Sequence, residues 1–130
     1  MISHETQVRV RYAETDQMGV VYHGVYPQYF EVGRAELIRE YGLSYAEMEA
    51  SGVVMPVTEL HVRYLRPALY DELLTLRTFV AKLPEQRIVM QTEVYNEAGK
   101  LCVAGKVTLA FIDQSTRKSV PPPAKFMEIL

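Results

Sequence analysis

The sequence predicts an α+β fold, one principal helix packed against an antiparallel sheet. Three observations carry that expectation. Residues 27–41 repeat apolar or small side chains three or four apart, the spacing of a one-sided helix. Four later runs, 53–65, 72–82, 87–95 and 101–113, are rich in β-branched and aromatic residues, as strands are. The connections between the last three are short and turn-like, Leu83-Pro84-Glu85-Gln86 and Asn96-Glu97-Ala98-Gly99, so these strands are antiparallel neighbours.

Residues 7–12 alternate Val8 and Val10 with Arg9 and Arg11, the period of a half-buried strand. Residues 14–24 then read as a loop with two glycines, although Val20-Val21-Tyr22 within it is apolar. The helix at 27–41 opens on Pro27, which suits a first turn, and stops at Gly42, where a C-terminal cap belongs. Its buried stripe is expected at Tyr26, Tyr29, Phe30, Gly33, Leu37 and Tyr41. Glycine inside a helix costs about 1 kcal/mol relative to alanine, so Gly33 on that stripe implies close approach of another backbone. Ser44, with Glu47 three residues later, marks a capping box for a second helical piece at 45–50, ended by Gly52. The four strands that follow wrap the principal helix, and Pro121-Pro122-Pro123 stiffens the chain before a short C-terminal segment.

With 130 residues and no linker, repeat or low-complexity tract, residues 1–130 are read as one domain. Lys plus Arg number 14 against 16 Asp plus Glu, a balance that argues against a nucleic-acid partner. The N-terminus lacks a basic region followed by an apolar stretch, and no segment approaches the roughly 18 apolar residues of a membrane span. The expectation is a soluble cytoplasmic protein without integral membrane contact. Cys102 is the only cysteine, and its apolar alternating setting marks it as a small buried hydrophobe. Three scattered histidines show no metal-ligand spacing, so no metal or cofactor is expected. His61, within a strand, is read as structural. Glu31 and Glu36 are read as solvent-facing or ion-paired helix residues. The basic residues Arg63, Arg66, Lys82, Arg87, Arg117 and Lys118 are read as solvated charges, with the anionic tail of a coenzyme as the functional alternative.

Chemistry concentrates in residues 12–26, Tyr-Ala-Glu-Thr-Asp-Gln-Met-Gly-Val-Val-Tyr-His-Gly-Val-Tyr. Asp16 lies between a strand end and a helix start, among the apolar Met18, Val20, Val21 and Tyr22. That setting is costly for a charge without a purpose. His23 and Gly24 follow at the helix start, where backbone N–H groups lack partners and the helix carries about half a positive charge. A carbonyl oxygen placed there gains stabilisation as it becomes an oxyanion. Asp16 can then attack or activate water. His23 has three readings: a surface loop histidine, a general base, or the residue whose main-chain N–H matters. Gly24 lets a ligand approach the backbone, and Tyr22, Tyr26 and Tyr29 could line an acyl pocket.

The segment Asp16-Gln-Met-Gly19-Val-Val-Tyr22-His23-Gly-Val-Tyr26 resembles the pattern Asp-x-x-Gly-x-Val-[aromatic]-x-x-x-Tyr of the hotdog-fold acyl-CoA thioesterases. The nearest group contains 4-hydroxybenzoyl-CoA thioesterase and the small bacterial thioesterase associated with the Tol-Pal envelope system. Tyr64-x-x-Pro67-Ala68 followed by Asp71-Glu72 is similar to that family's strand connection, and the resemblance covers nearly the whole chain. It implies an antiparallel sheet wrapped around one long central helix. It also implies Asp16 as the catalytic carboxylate, nucleophile or general base, and the His23 backbone N–H as the donor to the thioester carbonyl. A second branch carries its carboxylate on the helix after His-Gly-Gly; here Val25 follows Gly24, which leaves Glu31 a secondary candidate.

The expected activity is hydrolysis of a short-chain or aromatic acyl-CoA to acid and free CoA, with acyl carrier protein as another carrier to consider. The resemblance further implies a site between two subunits, hence a dimer at least and a tetramer as the favoured assembly. Two other readings stand beside it: a hotdog hydratase or dehydratase using the His23 imidazole as base, and a non-catalytic acyl-CoA binding module.

Overall fold

The computed structural model describes residues 2–130; Met1, the first residue of the N-terminal segment weighed above, lies outside them. Helix α1 (Tyr26–Glu40) is the centre of the fold. It begins one residue before Pro27, continuing directly from a 3-10 turn at His23–Val25. It ends where Gly42, at φ +88°, donates to the Arg39 carbonyl and Leu43 reaches back to Ile38. Tyr26, Tyr29, Phe30, Gly33 and Leu37 are buried as expected, joined by Arg34 and Ile38. Tyr41 departs from the expected stripe: it is the cap residue, exposed, with its hydroxyl reaching the Ser3 carbonyl. Helix α2 (Tyr45–Ala50) has Ser44 accepting the Glu47 N–H at 3.1 Å, and Gly52 follows it.

Five antiparallel strands make the sheet in the order β1-β4-β5-β6-β3: β1 (Ser3–Arg9), β3 (Val57–Tyr64), β4 (Leu73–Phe79), β5 (Arg87–Tyr95) and β6 (Leu101–Ala110). The first strand lies earlier than the valine alternation implied, because pairing with β4 begins at Ser3 and ends at Arg9. Its outward residues are polar, so it carries no apolar signature, and Tyr12–Glu14 turns into a 3-10 segment instead of extending it. Two long runs expected as single strands are each split. β2 (Val53–Val54) pairs with β7 (Ile112–Asp113) as a separate ladder, in the same register as the Val57–Leu109 pair of β3 and β6. Pro56 explains the break: it has no N–H to donate, though its carbonyl still accepts from Ala110. Next to Ala110, Phe111 turns inward onto Phe126 of α3 (Ala124–Ile129), ring centroids 5.4 Å apart.

The core lies between α1 and the sheet. A Cβ at Gly33 would collide with the Thr78 hydroxyl, whose partner is Thr92 at 3.2 Å. The close approach is therefore to side chains of β4 and β5 rather than to another backbone. Across the same interface a Cβ at Gly105 would enter the Phe30 ring. Cys102 is fully buried, as expected, and burial raises its thiol pKa. No described helix is long and apolar enough to cross a membrane.

One further contact fixes the helix start against the loop before it. Glu14 is buried and accepts the Tyr29 hydroxyl at 2.9 Å and the Arg11 N–H at 2.8 Å, with the Arg11 guanidinium at 3.2 Å. Its carbonyl takes the Tyr22 N–H. Burial, then Glu14 itself, raises the Tyr29 hydroxyl well above its ordinary pKa.

Two predictions follow from this packing. Gly105→Ala should lower stability by about 1–3 kcal/mol in urea unfolding, since the Phe30 ring has no space to yield. Combining it with Phe30→Leu should cost less than the two single changes together. Tyr29→Phe should cost roughly 1–3 kcal/mol, because it removes a donor from a buried carboxylate while leaving the ring in place.

Candidate active site

Asp16 opens a four-residue turn. Its carbonyl accepts the Gly19 N–H, its N–H donates to the Val20 carbonyl, and Gly19 holds φ +78°. The turn is braced from outside by Val21 N–H on the Ala68 carbonyl and Tyr70 N–H on the Gly19 carbonyl. The connection after β3 therefore holds the loop in place. Within this frame the Asp16 carboxylate is half-buried, with Oδ1 accepting the Met18 N–H at 2.8 Å. Oδ2 has no donor, and no basic side chain pairs with Asp16, among the described residues.

An open cleft of about 370 Å³ brings Asp16 together with His23 and Tyr26, bordered by Met18, Val20 and the Tyr64-Leu65-Arg66-Pro67 segment. The 3-10 turn at His23–Val25 is closed by Val25 N–H on the Tyr22 carbonyl. The His23 and Gly24 N–H groups donate to no described residue. They are unpaired donors at the positive end of a continuous helical segment, beside a carboxylate with a free oxygen. That pairing suits attack on a carbonyl whose oxygen becomes anionic. Burial pushes the Tyr26 hydroxyl up to about 12, so it stays neutral at physiological pH.

The other expected pocket residues divide. Tyr22 is exposed and stacks on the His23 imidazole, ring centroids 4.3 Å apart. Its ring also occupies the space a Cβ at Gly24 would take, so Gly24 makes room for Tyr22 as well as baring its own amide. Tyr29 is not brought to the cleft; its hydroxyl is committed to Glu14. Glu36 pairs with Arg39, and Glu31 borders a different cleft. Among the described residues no three His, Cys, Asp or Glu side chains are grouped to hold a metal ion.

Tyr64 is a cleft residue that the sequence does not mark as one, although Tyr64-x-x-Pro67 resembles a strand connection. Its hydroxyl donates to the His23 carbonyl at 2.9 Å. A bond spanning 41 positions leaves no local trace in sequence.

Comparison with known proteins identifies the fold and the family. DHNA-CoA thioesterase from Staphylococcus aureus superposes with a TM-score of 0.89 at 42% identity, over 93% of this chain and 81% of that one. A Bacillus subtilis chain carrying a provisional acyl-CoA thioesterase name, YneP, is 36% identical over 88% of this chain and 83% of its own. The acyl-CoA thioester hydrolase YbgC of Escherichia coli is 30% identical over 82% and 79%. Residues 10–130 match the family model described as the thioesterase-like superfamily, a span that takes in the Asp16 turn, the helix start and all but the first strand. The fold is thus a hotdog fold, and the chain belongs to the thioesterase-like superfamily.

Proposed function

We propose that this protein hydrolyses acyl-CoA thioesters, of short-chain or aromatic acyl groups, with Asp16 as the reacting carboxylate. The observation that carries the reading is one cleft bordered by Asp16, a carboxylate with a free oxygen, and by His23, whose N–H, like that of Gly24 next to it, is unpaired at a helix start. The thioester oxygen sits on the His23 and Gly24 N–H groups, each worth about 3 kcal/mol to the developing oxyanion. Asp16 either attacks the carbonyl carbon, expelling CoA thiolate and leaving a mixed anhydride that water cleaves, or removes a proton from the attacking water. Both routes end in the free acid and the thiol. Tyr26, neutral and buried at the cleft, supplies acyl-facing surface, and Tyr22 shields the amides from solvent.

The active assembly is a dimer made through β3, and two dimers form a tetramer in the cytoplasm. Support for the dimer lies at the sheet edge. β3 is uncovered on one side, with Val57 and Leu60 exposed, and Tyr64 and Leu65 exposed at its end. Between β3 and α1 runs a cleft of about 320 Å³ bordered by Glu31, Arg34, Val57 and Leu60. Arg34 is only 8% exposed, yet its Nε has no partner. A buried guanidinium nitrogen without an acceptor is costly, and an acceptor from a second subunit would relieve it. A single hotdog domain spanning residues 1–130, carrying its acyl group on CoA or acyl carrier protein, completes the reading.

Three measurements test it. Asp16→Asn should lower thiol release from a panel of acyl-CoAs by ~10²–10⁴-fold with the fold intact; undiminished turnover would overturn the assignment. His23→Ala should retain hydrolysis, because the main-chain N–H remains, whereas near-complete loss would indicate imidazole-driven hydration chemistry. Leu60→Asp should break the β3 contact, giving a smaller assembly than the wild type in light scattering and lower activity with it.

A further inference from the structure

We propose that Tyr64 is a positioning residue that aims and strengthens the Gly24 amide; this rests on the thioesterase reading above. The Tyr64 hydroxyl donates to the His23 carbonyl at 2.9 Å. That carbonyl and the Gly24 N–H are the two ends of one planar trans peptide unit and point in opposite directions. Whatever grips the carbonyl therefore sets where the amide points. The Gly24 N–H is otherwise unheld, since it donates to no described residue.

The grip is rigid because Tyr64 sits on the last rung of β3, paired with Val103 of β6. Its ring is also fixed without the hydroxyl. It stands edge-on to Tyr26 with centroids 5.7 Å apart, and to His23 at 6.4 Å. Sheet and helix start are thus joined by a phenolic hydrogen bond, and the joint lies on His23, which borders the cleft together with Tyr64.

The bond acts on strength as well as direction. A carbonyl that accepts a hydrogen bond withdraws electron density from its own N–H, so the chain phenol to carbonyl to amide to oxyanion is cooperative. Removing an oxyanion donor lowers kcat by ~10²–10³-fold. Strengthening one by roughly 10–30% therefore corresponds to about a two- to eightfold gain in kcat, before any effect of misdirection.

Tyr64→Phe isolates the hydroxyl and keeps both ring contacts, so the melting temperature should move little. Two readouts are taken on the full chain. In the ligand-free protein, the His23 carbonyl ¹³C and Gly24 ¹⁵N resonances should shift in the variant, reporting loss of the bond. With benzoyl-CoA and butyryl-CoA as probes, kcat should fall at least two- to eightfold while KM stays within about twofold. Unmoved resonances would overturn the bond. Shifted resonances with unchanged kcat, or a change confined to KM, would overturn the positioning role. A wild-type protein releasing no thiol from any acyl-CoA would instead sink the thioesterase reading, while leaving the resonance shift in place.

Discussion

The geometry of this protein depends on how closely α1 lies on the sheet. Gly33 admits the Thr78 hydroxyl and Gly105 admits the Phe30 ring, so helix and sheet interlock at two points where any side chain would hold them apart. Interiors packed at this density do not absorb an extra methyl group freely. Because the helix is seated there, its N-terminal end has one possible height above β3. The Asp16 turn, tied to the Ala68 carbonyl and backed by Glu14, has to meet that end. Chemistry at the cleft is thus set by packing some way from it.

Two carboxylates near the helix start take opposite roles through their surroundings. Glu14 is enclosed and satisfied by Tyr29 and Arg11, which binds the strand end, the loop and the helix together. Asp16, two residues on, is left with one oxygen engaged by its own turn and the other open. A buried group with every lone pair occupied has little reactivity to offer. A half-buried one with a free oxygen beside unpaired donors does.

Much of this was legible in the sequence where the signal is local. The cap at Ser44, the stop at Gly42, the boundaries of β5 and the Asp16–His23 spacing all follow from short-range rules, and the structure contains each of them. What escaped is non-local. β1 is held by pairing with β4 rather than by apolar alternation, so it begins four residues before the valine pattern does. Pro56 divides two strands at once because its missing N–H is felt across the ladder. Tyr29 looks like a pocket residue by spacing, but its hydroxyl finds Glu14 fifteen positions earlier. Tyr64 meets His23 only once the sheet has formed.

The two borders of the sheet differ in character. Along β1 the outward residues are Glu5, Gln7 and Arg9, charged or strongly hydrated, and ill suited to receiving another strand. Along β3 Glu59, His61 and Arg63 are exposed in the same way, but on its helix-side face Val57 and Leu60 are exposed as well. A sheet with a single adhesive border is self-limiting. Once two such borders have met, only the hydrated ones remain outward, and stacking cannot run on into fibres. A border that could receive a second strand and a border that resists one would thus lie at opposite sides of the same sheet.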